Sequence, residues 1–174
     1  MAKWLNVPNA LTILRMIMVF FMPGLFQKGQ YIAAMVLFLA AGATDLLDGF
    51  IARKCNLITS FGKLMDPLAD KLMLVVTLVL FAKEGWTPWL VPIIIILKEL
   101  AMVLGGLFML KKNTVVYANF WGKAATFLFT LAVVLTFLHQ FVSPADLIVM
   151  WVALALSVIA MLNYAWKFMV KGEK

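Results

Sequence analysis

The chain is poor in the residues that carry most soluble chemistry. Cysteine occurs once, at Cys55, so no disulfide can close within the chain and there is no cysteine cluster for zinc. Histidine also occurs once, at His139, which argues against a multi-histidine metal site and a Ser-His-Asp arrangement. Charged residues make up only 13% of the 174 residues, against 65% hydrophobic and a mean hydropathy of +1.02. No polar stretch is long enough to form an inserted soluble domain. The first apolar run, near Ala10, is followed by no small-residue cleavage pattern and reads as a retained helix.

What the sequence does hold is a succession of apolar runs of membrane-spanning length, joined by short connections. This is the pattern of an all-α integral membrane protein, organised as one domain over residues 1–174. Residues 1–9 read as a short interfacial segment, with Lys3 and Trp4 suited to the headgroup region. Six transmembrane helices are expected near 10–25, 31–54, 60–81, 88–110, 118–138 and 144–168. Thr87 before Pro88, and Ser143 before Pro144 with Asp146 following, match polar N-caps with proline at the first helical position. Asp146 then suits the positive end of the helix dipole.

Six spans put both termini on one side. Lys3, Arg53, Lys54, Lys63, Lys111, Lys112, Lys123, Lys167, Lys171 and Lys174 fall on that side, against Lys28 and Lys83 opposite. By the positive-inside rule the termini are cytoplasmic. With this hydropathy, the net charge of +7 points to an anionic lipid surface and not to nucleic acid.

Four of the eight acidic residues lie between Asp45 and Asp70, on either side of the second connection. An aspartate in a membrane helix costs about 3 kcal/mol on insertion scales, so four of them demand compensation and a function. At 100° per residue, Asp45, Asp48, Gly49 and Ala52 share a stripe on the second helix, and Gly62, Asp66 and Asp70 share one on the third. The four carboxylates of this cytoplasmic hairpin offer only oxygen ligands, which select hard cations such as Mg²⁺ or Mn²⁺. Two ions could be held, an arrangement suited to clamping a diphosphate. Gly49 and Ala52 leave room for a flat ligand, Arg53 is placed to pair with phosphate, and Pro67 is expected to bend the third helix.

The spacing D-x2-D-G-x2-A-R-x8-G-x3-D-x3-D, filled by Asp45, Asp48, Gly49, Ala52, Arg53, Gly62, Asp66 and Asp70, resembles the signature of the CDP-alcohol phosphatidyltransferases. The resemblance implies attack of an acceptor hydroxyl on the phosphatidyl phosphorus of CDP-diacylglycerol, with release of CMP. It further implies that Asp45, Asp48 and Asp66 hold the divalent metals, with Asp70 near them as the base. Gly49, Ala52 and Arg53 would line the cytidine diphosphate site. A homodimer in a bacterial plasma membrane is implied in the same way.

The opening P-N-A-L-T-I-L-R is similar to the start of the phosphatidylglycerophosphate synthases and of the related cardiolipin synthases of this fold. Asn9, Thr12 and Arg15 share a face there and are candidates for contact with the lipid diphosphate, the alternative for Arg15 being snorkelling to the interface. Lys98-Glu99 stands where those synthases tend to have an arginine followed by an acid, and Gly122-Lys123 with Thr126 resembles their Gly-Lys-x-x-Thr pattern. Lysine for arginine loses the bidentate clamp. Adjacent positions point about 100° apart, so Lys98 and Glu99 are expected to have different partners.

Lys63, Lys98, Lys111 and Lys123 are the candidate acceptor-phosphate residues, which makes sn-glycerol 3-phosphate the expected acceptor. The positive-inside bias is the plainer account of Lys111 and Lys112. Phosphatidylglycerol, as in a cardiolipin synthase, or another alcohol are the rival acceptors. A divalent-cation transporter is the rival from another class, disfavoured because the acids crowd one hairpin and no internal repeat is evident. His139 reads as an interfacial residue without chemistry, and Cys55 as a small thiol in the hairpin.

Overall fold

The computed structural model describes residues 7–54, 59–111 and 120–171, and among these every assigned element is a helix. In order they are α1 (Val7–Gln27), α2 (Tyr31–Lys54), α3 (Ser60–Lys83), α4 (Leu90–Lys111), α5 (Phe120–Phe137), the single turn α6 (His139–Val142) and α7 (Ala145–Lys171). Several residues singled out in the sequence lie outside the described residues: Lys3, Trp4, Cys55, Lys112 and Lys174, and the side chains of Ala52, Arg53, Lys63, Lys111, Gly122, Lys123, Lys167 and Lys171. All six expected helices begin and end within three residues of the positions their apolar runs suggested, and α2 matches at both ends.

Three helices are long and apolar enough to cross a membrane among the described residues: Val7–Gln27, Tyr31–Ile51 and Ala145–Asn163. In α3 the run is broken by Asp66, Asp70 and Lys71, and α5 contributes a shorter apolar helix, Ala124–Phe137. Large apolar side chains face outward along the helices, among them Phe20, Leu46, Phe127, Phe141, Ile148 and Trp166. Such a surface is the one a membrane protein presents to lipid tails.

The chain forms two compact units, residues 1–80 and 81–174. In the first, α1 and α2 pack on each other as a tight hairpin. Gly29 has φ +66°, a conformation costly for residues with a Cβ, and it ends α1. Its amide donates to the Phe26 carbonyl at 2.9 Å while the Gln30 amide donates to that of Leu25 at 2.9 Å. The Gln30 carbonyl then accepts the Ala34 amide, so α2 starts with no intervening loop. Along α1 the buried positions are Pro8, Asn9, Thr12, Arg15, Met22 and Phe26, a helical stripe that is polar in its first half and apolar in its second. Ala34 and Ala41 of α2 are buried, and on α3 Ala69, Met73 and Thr77 follow at four-residue steps.

In the second unit α5 and α7 pack together, and α4 also meets α7. Buried Ala125, Phe129, Val133 and Phe137 line one face of α5, and Asp146, Met150, Ala153 and Ser157 line one face of α7. The end of α3 is closed by Gly85 at φ +75°, in the same bonding pattern as Gly29, with the Trp86 amide donating to the Phe81 carbonyl at 2.9 Å. The Phe81 ring lies 5.7 Å from that of Trp86 and 4.8 Å from that of Phe137.

The helix starts assigned to Thr87 and Ser143 need correction. Helix α4 begins at Leu90, and the buried Thr87 hydroxyl has no hydrogen-bond partner among the described residues. Helix α7 begins at Ala145, with the Pro144 carbonyl accepting the Ile148 amide at 3.2 Å, which leaves Ser143 outside the cap. A proline one or two residues before a helix, as Pro144 and Pro88 are, is as compatible with the backbone as one at its first position, so the sequence pattern did not fix the register. Asp146 does occupy the first turn of α7, but its carboxylate turns to His139, whose Nδ1 lies 2.7 Å away. His139 in turn stacks on Trp86 at 5.7 Å. It is a packed and hydrogen-bonded residue of the second unit.

Candidate active site

The polar half of α1 is the organising surface of the first unit. Asn9, Thr12 and Arg15 recur every three residues, so they point the same way, and all three are at most 2% exposed. Arg15 is fully buried, which excludes snorkelling to the interface. Its Nη2 donates to Asp48 Oδ2, and its Nη1 lies 2.8 Å from Asp45 Oδ1. Asp45 is the more open of the two carboxylates, its side chain 39% exposed against 3% for Asp48. Arg15 thus answers the need for compensation set by burying acids in an apolar helix.

One turn back on α1, the Thr12 hydroxyl donates to Asp66 Oδ1 of α3. One further turn back, Asn9 Oδ1 accepts from the Thr59 hydroxyl at 3.0 Å, and Thr59 Oγ1 accepts the Gly62 amide at 3.0 Å. Thr59 is therefore the N-cap of α3. Gly62 packs closely: a Cβ there would stand 3.0 Å from Asn9 Oδ1 and 3.3 Å from Thr59 Oγ1, tight enough that one of them would have to give by a few tenths of an ångström. The glycine of the spaced pattern is what lets α1 approach α3.

Asp45, Asp48 and Asp66 are thereby gathered on α1, with Asp45 and Asp66 both near enough to Asp48 to repel it. Asp70, one turn beyond Asp66, is exposed, and Gly49 is half-buried beside Asp48. Among the described residues no group of three acidic, histidine or cysteine side chains is placed to hold a metal ion. The Arg15 guanidinium touches both Asp45 and Asp48, and a cation there holds the carboxylates in ion pairs. The donor chemistry fits a hard divalent ion, being carboxylate oxygen throughout, and such an ion would share Asp45 and Asp48 with the Arg15 guanidinium. Arg15 Nε makes no hydrogen bond among the described residues, which leaves the guanidinium one donor beyond its pairs with Asp45 and Asp48.

In the second unit, Lys98 Nζ lies 2.7 Å from Glu99 Oε1, both side chains less than one-fifth exposed. The expectation of different partners fails for this pair, since the long lysine chain bends across the angle between neighbouring positions. Thr126 is exposed on α5. Sequence reasoning passed over Thr59 and the His139–Asp146 pair. A threonine directly before a helix start was signal enough for Thr59. No pattern marked the second.

Residues 5–159 match the family model of the CDP-alcohol phosphatidyltransferases, and the chain belongs to that family. Within it, the chain is 33% identical to the CDP-diacylglycerol–glycerol-3-phosphate 3-phosphatidyltransferase of Bacillus subtilis (strain 168), across 96% of this chain and 95% of the relative. It is similar to proteins of the same name from Haemophilus influenzae, 31% identical over 91% of each chain, and from Rickettsia typhi, 34% identical over 91% of this chain and 94% of that one.

Proposed function

We propose that this enzyme transfers the phosphatidyl group of CDP-diacylglycerol to sn-glycerol 3-phosphate, giving phosphatidylglycerophosphate and CMP. The observation that carries the reading is the convergence of Asp45, Asp48 and Asp66 on Asn9, Thr12 and Arg15, from three separate helices. The names of the full-length relatives support the same substrates.

In the reaction a bond forms between the acceptor hydroxyl oxygen and the phosphatidyl phosphorus. The bond from that phosphorus to the bridging oxygen breaks, and CMP leaves with the electron pair. Asp70, exposed one turn from Asp66, takes the hydroxyl proton. Asp45, Asp48 and Asp66, with Asp70 beside them, would hold Mg²⁺ or Mn²⁺, two ions in the fullest form of the site. Such ions supply electrostatic stabilisation to the charge developing on the diphosphate oxygens. Arg15 turns its remaining Nε donor to the lipid diphosphate, with Asn9 and Thr12 fixing the face from which it reaches. Gly49, Ala52 and Arg53 line the cytidine side, and Lys63, Lys98, Lys111 and Lys123 draw the acceptor phosphate.

The same reading makes the chain a six-span homodimer of a bacterial plasma membrane, with both termini and the aspartate hairpin cytoplasmic. The distribution of lysine and arginine between alternate connections supports that orientation.

The test is CMP release from CDP-diacylglycerol in Mg²⁺ or Mn²⁺ with glycerol 3-phosphate, phosphatidylglycerol, serine, inositol and inositol phosphate offered in turn. Release with glycerol 3-phosphate alone, abolished by Asp70→Asn, is expected. Release with phosphatidylglycerol alone would make the protein a cardiolipin synthase, and silence with all five would overturn the transfer reading.

A further inference from the structure

We propose that Thr59, outside the spaced aspartate pattern, is a positioning residue that fixes Asp66 by closing a ring of contacts between α1 and α3. A hydroxyl has one proton to give and lone pairs to accept with, and Thr59 uses both. It gives the proton to Asn9 Oδ1 and accepts the Gly62 amide, each at 3.0 Å. From Asn9, one turn of α1 leads to Thr12. From Gly62, one turn of α3 leads to Asp66. Thr12 and Asp66 meet, and the ring is closed. Thr12 Oγ1 also lies 3.1 Å from the Pro8 carbonyl, but its single proton favours the charged acceptor.

Two contacts, one turn apart, lock both the translation and the rotation of α3 against α1, whereas the Thr12–Asp66 bond alone would leave the carboxylate free to pivot. Gly62 belongs to the same device, since a Cβ there would crowd both Asn9 Oδ1 and Thr59 Oγ1. Thr59 touches neither reacting groups nor the motif acids. It acts on Asp66 through the start of α3 and through α1.

The inference rests on the reading of Asp66 as a metal ligand, and the experiment separates the two. Mn²⁺ binding to the full-length protein in detergent is measured by calorimetry with MnCl₂ alone, beside kcat and KM for CMP release. The variants are Thr59→Ser, Thr59→Val, Asp66→Asn and, as a control, Thr77→Val, which removes a buried hydroxyl bonded only within α3, to the Met73 carbonyl at 2.8 Å. Loss of an outer support of a metal ligand costs roughly 10- to 100-fold in metal affinity.

Thr59→Val is expected to weaken Mn²⁺ binding at least about tenfold and lower kcat. Thr59→Ser, which keeps the proton and the cap, restores both, and Thr77→Val changes neither. If Thr59→Val does not fold, Asn9→Leu opens the same ring from α1 and is expected to give the same loss of Mn²⁺ affinity. Wild-type Mn²⁺ affinity in Thr59→Val while Asp66→Asn loses it would overturn the positioning role alone, as would a Thr59→Ser variant as impaired as Thr59→Val. Wild-type affinity in Asp66→Asn would instead remove the metal reading on which the inference stands.

Discussion

Arg15 of α1 and Asp48 of α2, 33 residues apart, form an ion pair in which neither side chain is more than 3% exposed. A buried pair of this kind adds little net stability compared with apolar packing, yet removing one partner is costly because the other charge is left alone. Its presence in a chain otherwise rich in hydrocarbon therefore points to a requirement of the site and not of the fold.

Arg15→Met is expected to destabilise the protein by about 3–5 kcal/mol, the usual cost of an uncompensated buried charge. Thermal unfolding in detergent with EDTA reads it. Added MnCl₂ should raise the midpoint of the variant more than that of the wild type, because a cation at Asp45 and Asp48 replaces the lost one. An unchanged midpoint in EDTA would mean that Asp48 finds compensation elsewhere.

Gly62→Ala sets two effects against each other. Alanine is favoured over glycine inside a helix by about 1 kcal/mol. The new methyl, however, would meet Asn9 Oδ1 at 3.0 Å, and Asn9 is buried at 2% exposure and holds the Thr59 hydroxyl. Overpacking costs typically about 1–3 kcal/mol, so the clash is expected to win. The variant should unfold at lower temperature and lose CMP release; a stabilised, fully active protein would show that Asn9 moves freely.

His139→Phe keeps a ring for Trp86 to stack on but removes the partner of Asp146, whose buried Oδ1 already lacks a hydrogen bond among the described residues. A loss of roughly 2–4 kcal/mol is expected from the stranded carboxylate. Asp146→Asn should cost less, since a neutral amide is cheaper to bury. Unfolding midpoints of the two variants decide the order. Activity at a permissive temperature should be retained in both, because neither residue belongs to the proposed catalytic group.

Lys98→Gln tests the acceptor pocket. If Lys98 draws the acceptor phosphate, KM for glycerol 3-phosphate rises roughly tenfold or more, the worth of one hydrogen bond to a charged group, while KM for CDP-diacylglycerol holds. A uniform fall in kcat with both KM values unchanged would assign the Lys98–Glu99 pair to packing instead.

The helices were legible because the information for them is local. Runs of apolar residues of bilayer length, interrupted by Lys-Gly-Gln or by charge, placed α1 to α5 and α7 from the chain alone. Helical periodicity likewise put Asp45 with Asp48, and Asn9 with Thr12 and Arg15, on common faces. The α6 turn and the starts of α4 and α7 were less legible, since proline near a helix start is compatible with more than one register.

By itself, then, the sequence determined which residues share a helix face and that the acids needed a counter-charge. Periodicity and hydropathy are properties of neighbouring residues, and they carry that much. Only the tertiary structure decided which cation answers them. Arg15 meets Asp45 and Asp48, Thr12 meets Asp66 54 residues away, and Thr59 meets Asn9 across 50. Those pairings depend on how α1 lies against α2 and α3, which is set by packing, and no local pattern encodes it.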